Sequence, residues 1–147
     1  MTDHLCWTPA TELVALIRAR KLSPVELTEA VLARVERLNP QINAFCAITQ
    51  DQARQGAKIA EAALMHGESL GALHGVPVSI KDVIFTRGSV TTGGSRMFAD
   101  FVPEEDAITV ERLRAAGAVI LGKTNTPEFD HKALGENPLF GATRNPW

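Results

Sequence analysis

The sequence predicts an α/β protein: a helical N-terminal part over residues 1–70, then, over 71–147, the start of a mixed, mostly parallel sheet covered by helices. Three observations lead there. Capped amphipathic segments fill the first part. From Gly71 onward glycines become frequent and short β-branched runs appear. Between Asp106 and Leu121 a helix pattern, a glycine and a fully apolar run follow one another, the order common in parallel sheets buried on both faces.

Taken in order, Thr8-Pro9 reads as an N-cap with proline at the first helical position, and Leu13, Leu16 and Ile17 recur at helical spacing. Ser23-Pro24 opens a second helix, with Glu26 completing a capping box. Leu27, Val31, Val35 and Leu38 form its apolar stripe, and Asn39-Pro40 is expected to end it. Ile42 to Ile48 reads as a connecting or partly extended segment. A third helix is predicted from Asp51 to His66, with a narrow stripe of Ala53, Ala57, Ala60 and Leu64 and a stop at Gly67. Val76 to Lys81 reads as a strand with its proline near the start. Thr86 to Ser95 is a loop. Asp106 is expected to cap a helix burying Ile108, Val110, Leu113 and Ala116, and Gly117 to end it. Ala118 to Leu121 follows as a short buried strand, Thr126-Pro127 as a short helix start, and Gly135 to Trp147 as irregular chain. Two firm strands are too few for an independent sheet. This, the absence of tyrosine and the ending Asn145-Pro146-Trp147 make the chain read as the incomplete N-terminal portion of a single domain.

Of the 147 residues, 45% are hydrophobic and 22% charged, ordinary for a globular protein. A net charge of −2 with no basic run argues against nucleic acid and anionic membrane as partners. No apolar stretch is long enough to span a bilayer. Met1-Thr2-Asp3-His4 lacks the basic and apolar regions of a signal peptide, so a cytoplasmic location is expected. Cys6 and Cys46, far apart and without ligand spacing, read as free, buried thiols in a reducing compartment. His4, His66 and His74 also lack ligand spacing, so neither a metal nor a cofactor is expected.

The chemistry gathers around Leu73-His74-Gly75-Val76-Pro77-Val78-Ser79-Ile80-Lys81-Asp82. Strand alternation puts Pro77, Ser79 and Lys81 on one face, so Lys81 need not pair with Asp82. If Lys81 points into a dry interior, burial favours its neutral amine, a base. The plainer reading is a strand-end lysine reaching water, and spacing alone favours that one.

This run resembles the lysine motif of the amidase signature family. Thr91-Thr92-Gly93-Gly94-Ser95, the stretch Asp106 to Phe129, the ending Asn137 to Trp147 and the helical Ser23 to Phe45 are similar to the family in the same order. The resemblance implies an amidase-signature fold and hydrolysis of a small-molecule amide, at carbon–nitrogen bonds other than peptide bonds, by a Ser–cis-Ser–Lys triad. The catalytic lysine falls on Lys81. A bridging serine passes protons between it and a nucleophilic serine, which forms an acyl-enzyme while backbone N–H groups stabilise the oxyanion. The Gly/Ser-rich stretch that supplies both serines in the family is not among these residues, so the chain alone is expected to be inactive.

Ser79 and Ser95 do not fill that gap. Ser79 reads as a strand hydroxyl and Ser95 as part of an upstream loop that shapes the site. Asp82 is either a hydrogen-bonding support of the site or an ordinary strand-end carboxylate. Gly122-Lys123-Thr124-Asn125 reads as a loop after the apolar strand, without the glycine spacing of a phosphate loop, and Asn125 and Glu128 read as residues that hold that loop. The resemblance places Asp130 and His131 near the mouth of the substrate pocket. A small residue is common in the family where Asp130 stands, so its carboxylate is either a polar addition to the pocket or a solvated loop charge. Two alternatives stay open beside the stand-alone amidase: a non-catalytic fragment or partner-bound scaffold, and the glutaminase subunit of a tRNA-dependent amidotransferase. Apolar surface awaiting the rest of the sheet is expected to make the isolated chain self-associate.

Overall fold

A computed structural model describes residues 3–147; Met1 and Thr2, read above as the start of a chain without a leader, lie outside the described residues. A 3-10 turn, Asp3–Trp7, leads into α1 (Ala10–Arg18), α2 (Pro24–Ile42), β1 (Phe45–Ile48) and α3 (Gln50–His66). Then come β2 (Pro77–Lys81), α4 (Ile108–Ala115), β3 (Val119–Thr124) and the two-residue strands β4 (Glu136–Asn137) and β5 (Gly141–Ala142).

The helices form where sequence punctuation demands, with local differences. Pro9 itself occupies the cap position of α1, and the Thr8 hydroxyl donates backwards to the His4 carbonyl. At α2 the Ser23 hydroxyl oxygen accepts from the Val25 and Glu26 N–H groups at 3.0 and 3.2 Å. The Ser23 hydroxyl proton goes to Glu61 of α3, so a helix–helix bond stands where the reciprocal half of a capping box was expected. The helix does not end at Asn39-Pro40. Losing one N–H in the last turn is tolerated, and the chain runs on to Ile42 before Asn43 turns left-handed at φ 53°. Asn39 secures this end by bonding both backbone groups of Phe45. In the expected α2 stripe only Leu27 is fully buried; Thr28, Ala30 and Leu32 join it because α2 is covered on a wider arc.

Helix α3 follows its predicted stripe: Ala53, Ala57, Ala60 and Leu64 are buried, and Gly67 ends it at φ 72°. Its alanine face lets α3 lie close to β3, so that Ala53 and Ala57 share a core with Leu32, Val119 and Leu121. A second core joins Leu5, Leu13, Ile17, Leu22, Leu27 and Leu64. Helix α4 departs most. Asp106 is not its cap; its carboxylate accepts from the Arg87 N–H and from Arg114, while Ala107 holds the cap position. Val110 alone of the four expected positions is fully buried, and Ile108 is 66% exposed, because this short helix touches the body along one line.

The sheet order is β1-β3-β2, with β1 antiparallel and β2 parallel to the central β3. β3 extends three residues beyond the predicted Leu121, so Gly122-Lys123-Thr124 is strand rather than loop. The segment before α3 supplies the edge strand β1. The C-terminal stretch is not wholly irregular: β4 and β5 pair in a small hairpin. Gly122 sits at φ 150°, and a Cβ there would lie 2.2 Å from the Ala47 carbonyl oxygen. Gly122→Ala is therefore expected to prise β1 from β3 and cost about 3 kcal/mol, read as a lowered urea midpoint with lost amide protection in Ala47 and Ile48.

Candidate functional site

Lys81 ends β2 opposite Thr124 of β3. It does not enter a dry interior. Its side chain is 41% exposed, and its ammonium pairs with the Asp130 carboxylate, because the lysine-bearing end of β2 lies at the sheet margin. Asp130 reaches it from an unusual backbone: Phe129 and Asp130 are both left-handed, at φ 49° and 59°, inside the 3-10 turn Glu128–Asp130. Two successive non-glycine residues in this region are costly and are held there by their surroundings. The Phe129 N–H donates to the Gly93 carbonyl at 2.7 Å, which fixes the turn against the glycine loop.

Asp82 turns the opposite way and is 1% exposed. Its carboxylate accepts the Thr92 N–H and the Thr92 hydroxyl, and its own carbonyl accepts the Gly93 N–H at 3.1 Å. It ties the loop to the end of β2, and Lys81 and Asp82 are not partners. Ser95 is buried and accepts the Met97 N–H at 3.4 Å at the head of the 3-10 turn Arg96–Phe98.

Asn125 gathers the C-terminal segment. Its amide donates to the Gly135 and Gly141 carbonyls and to the Thr143 hydroxyl, while its oxygen accepts the Thr126 N–H and the Asn137 amide. Asn137, which sequence reasoning did not single out, donates on to the Thr126 carbonyl and accepts from the Leu139 and Phe140 N–H groups. Glu128 serves through its backbone: its carbonyl accepts from the His131 N–H and faces His131 Nδ1. His131 itself is exposed. Lys81, Asp82, Asp130 and the Gly93 loop are thus brought together, whereas Asn125 supports the adjoining hairpin. Ser79 is exposed, and neither it nor Ser95 bonds Lys81.

The residue that sequence reasoning missed is Lys123. It is fully buried, and its ammonium donates to the Ile84 carbonyl and to the Thr86 and Thr91 hydroxyls, the latter two at 2.9 and 3.0 Å. Extending the apolar strand through Gly122 would have exposed the signal: a lysine inside a buried strand must find acceptors. Burial pushes its pKa down to about 8, against the opposing pull of Asp82, Cys46 and Asp106. Cys6 and Cys46 are free and half-buried rather than buried. Burial, reinforced by Asp82, pushes the Cys46 thiol up to about 12.

Beside the Gly93 loop lies an apolar cavity of about 160 Å³, walled by Val83, Phe85, Phe98, Phe101 and Phe129. Phe98 stacks edge-on against both Phe101 and Phe129. Among the described residues no cluster of His, Cys, Asp or Glu is placed to hold a metal ion.

The chain is an α/β protein whose mixed sheet presents a lysine at a strand end, flanked by a glycine loop and an apolar cavity. The family model described as Amidase matches residues 26–147, and the chain belongs to that family, the amidase signature enzymes. It is 46% identical over 138 residues to a subunit of the glutamyl-tRNA(Gln) amidotransferase of Acidothermus cellulolyticus, covering 94% of this chain and 27% of that protein. It is 43% identical over 148 residues to an acylamidase from Rhodococcus erythropolis, covering 100% of this chain and 31% of the relative. A crystal structure of a bacterial aryl acylamidase of the same family superposes with a TM-score of 0.90 at 32% identity, over 95% of this chain and 29% of that one. The chain thus spans under a third of the length of these relatives, and its fold is a part of the amidase-signature fold.

The buried lysine has a thermodynamic consequence. Folded, Lys123 loses its proton near pH 8, whereas the unfolded side chain keeps it to 10.5. Between these values the unfolded chain binds more protons, so stability rises with pH, by up to about 1.4 kcal/mol per pH unit. Cys46 opposes this from about pH 8 upward, because the folded thiol keeps the proton that the unfolded one releases. Urea unfolding is expected to show a net gain of about 0.6 kcal/mol between pH 8 and 9, and Lys123→Met should abolish that gain.

Proposed function

We propose that this chain is the N-terminal portion of a single amidase-signature domain, residues 1–147, and contributes Lys81 as the proton-accepting lysine of a small-molecule amide hydrolase. The observation that carries this is the placement of Lys81: the family's lysine motif ends β2 with the amine at the site margin, within reach of a second polar group and beside the glycine loop. In this reading the unprotonated amine takes a proton from a bridging serine, which takes one from the nucleophile, and no metal or cofactor takes part. For that step Lys81 leaves Asp130, whose half-exposed carboxylate is free to turn to solvent or substrate. Asp82 and Ser95 keep the loop in shape, Asn125 and Glu128 keep the neighbouring turn, and Asp130 and His131 border the entrance.

The apolar cavity supports an amide with a compact apolar group, in keeping with the acylamidase relatives. Action on carbon–nitrogen bonds outside peptides, and a cytoplasmic setting, complete the proposal; among the described residues no helix is long and apolar enough to cross a membrane. The exposed Phe85, Met97 and Phe129 support contact with further protein surface, either the remaining part of an amidase chain or another copy. The similarity to amidotransferase subunits favours a second reading, a glutaminase that works with partner subunits.

An assay on an aryl amide, an alkyl amide and glutamine separates these readings. In the complete enzyme Lys81→Ala should lower kcat by about 10³-fold or more, while retained turnover would overturn the assignment. Glutamine hydrolysis that needs partner subunits would select the second reading. Absence of turnover in the natural gene product would leave a non-catalytic scaffold.

A further inference from the structure

Among the described residues, Lys123 and Asp82 are both ionisable and fully buried; Asp82 already has a place in the proposed site, and Lys123 has none. Its three acceptors are neutral, and all belong to the segment 84–91 that follows the lysine-bearing strand. No carboxylate lies in ion-pair contact with it among the described residues, so charge neutralisation does not explain its presence. An apolar side chain of similar length would fill the space at a smaller desolvation cost. What a methionine could not do is tie a carbonyl at 84 and hydroxyls at 86 and 91 to one point on β3.

From that point the bonds lead to Lys81. Thr91 adjoins Thr92, which holds the Asp82 carboxylate through both its N–H and its hydroxyl. Gly93 donates to the Asp82 carbonyl at 3.1 Å and accepts the Phe129 N–H at 2.7 Å. Phe129 carries Asp130, which meets the Lys81 amine. Pairing of Lys81 with Thr124, the residue after Lys123, closes the circuit.

We propose that Lys123 is a positioning residue for Lys81: it pins the 84–91 loop to β3, so that the ring through Thr92, Gly93 and Phe129 delivers the Asp130 carboxylate to the Lys81 amine. The importance of that placement rests on the amidase reading, but its test does not, since it needs no turnover.

In the chain labelled with 13C at lysine Cε, the Lys81 signal is to be assigned by its loss in Lys81→Arg, and Asp130→Asn sets the position of that signal when the pair is lost. Measured at one neutral pH, Lys123→Met should move the Lys81 signal by at least about half of that displacement, while amide signals of α3 stay in place. Thr86→Val with Thr91→Val, which keeps the lysine and removes two acceptors, should move it in the same direction. Thr86→Ser with Thr91→Ser, which keeps both hydroxyls, should restore the original position; loss of packing alone would not give that pattern. A Lys81 signal that ignores both Lys123→Met and the valine pair overturns the proposal, as does one that does not respond to Asp130→Asn. If Lys123→Met does not fold, the valine and serine pairs decide. Loss of the amidase reading, seen as turnover that survives Lys81→Ala, is a separate result in a separate assay.

Discussion

Hydrogen bonding of β3 along both of its edges is the constraint on which the rest of the molecule depends. Its antiparallel edge holds β1, which the preceding helices deliver, and its parallel edge holds β2, which ends in Lys81. Val119 and Leu121 seal the strand against Leu32 and the alanine face of α3. Gly122 lets the β1 backbone approach where any side chain would collide with the Ala47 carbonyl. Lys123, next along, exchanges apolar packing for a three-acceptor cage and carries the order of the strand into the loop beyond β2. Through this pairing the strand joins residues 45–48, 77–81 and 119–124, which are distant in sequence.

Much of this architecture was legible in the residues because local chemistry and global fold agree. The small-residue stripe of α3 and its Gly67 stop are intrinsic to the helix and survive unchanged. The reading failed where tertiary contacts override a local signal. Pro40 reads as a terminator, yet the Asn39 side chain and the left-handed Asn43 supply an ending two residues later. Asp106 reads as a cap, yet Arg87 and Arg114 claim its carboxylate. Gly122 and Lys123 read as a loop because a glycine followed by a charge is the ordinary mark of one; only the neighbouring strand and the 84–91 loop make them interior.

The candidate site divides along the same line. Lys81 was visible through its motif, and its placement at the end of β2 follows from strand alternation and length. Its surroundings were not visible, because Asp130 meets it across 49 positions of sequence. Asp82 illustrates the intermediate case: adjacency to Lys81 suggested a role in the site, but only the fold shows that its oxygens serve Thr92 and not the lysine. The two lysines differ in how far the sequence foretold their surroundings. Lys81, which spacing alone reads as a strand-end lysine reaching water, is half-exposed and paired, while Lys123, expected in a loop, is the enclosed one.

The left-handed backbone at Asp130 also limits what evolution can place there. Valine, isoleucine and threonine are disfavoured by their branched Cβ, whereas aspartate, asparagine and glycine tolerate the conformation. A single base change converts an aspartate codon into one for asparagine or glycine. The charge facing Lys81 can therefore be switched off in one mutational step without asking the turn to refold. The charge beside the lysine is thus adjustable at this position while the scaffold that holds the lysine stays the same.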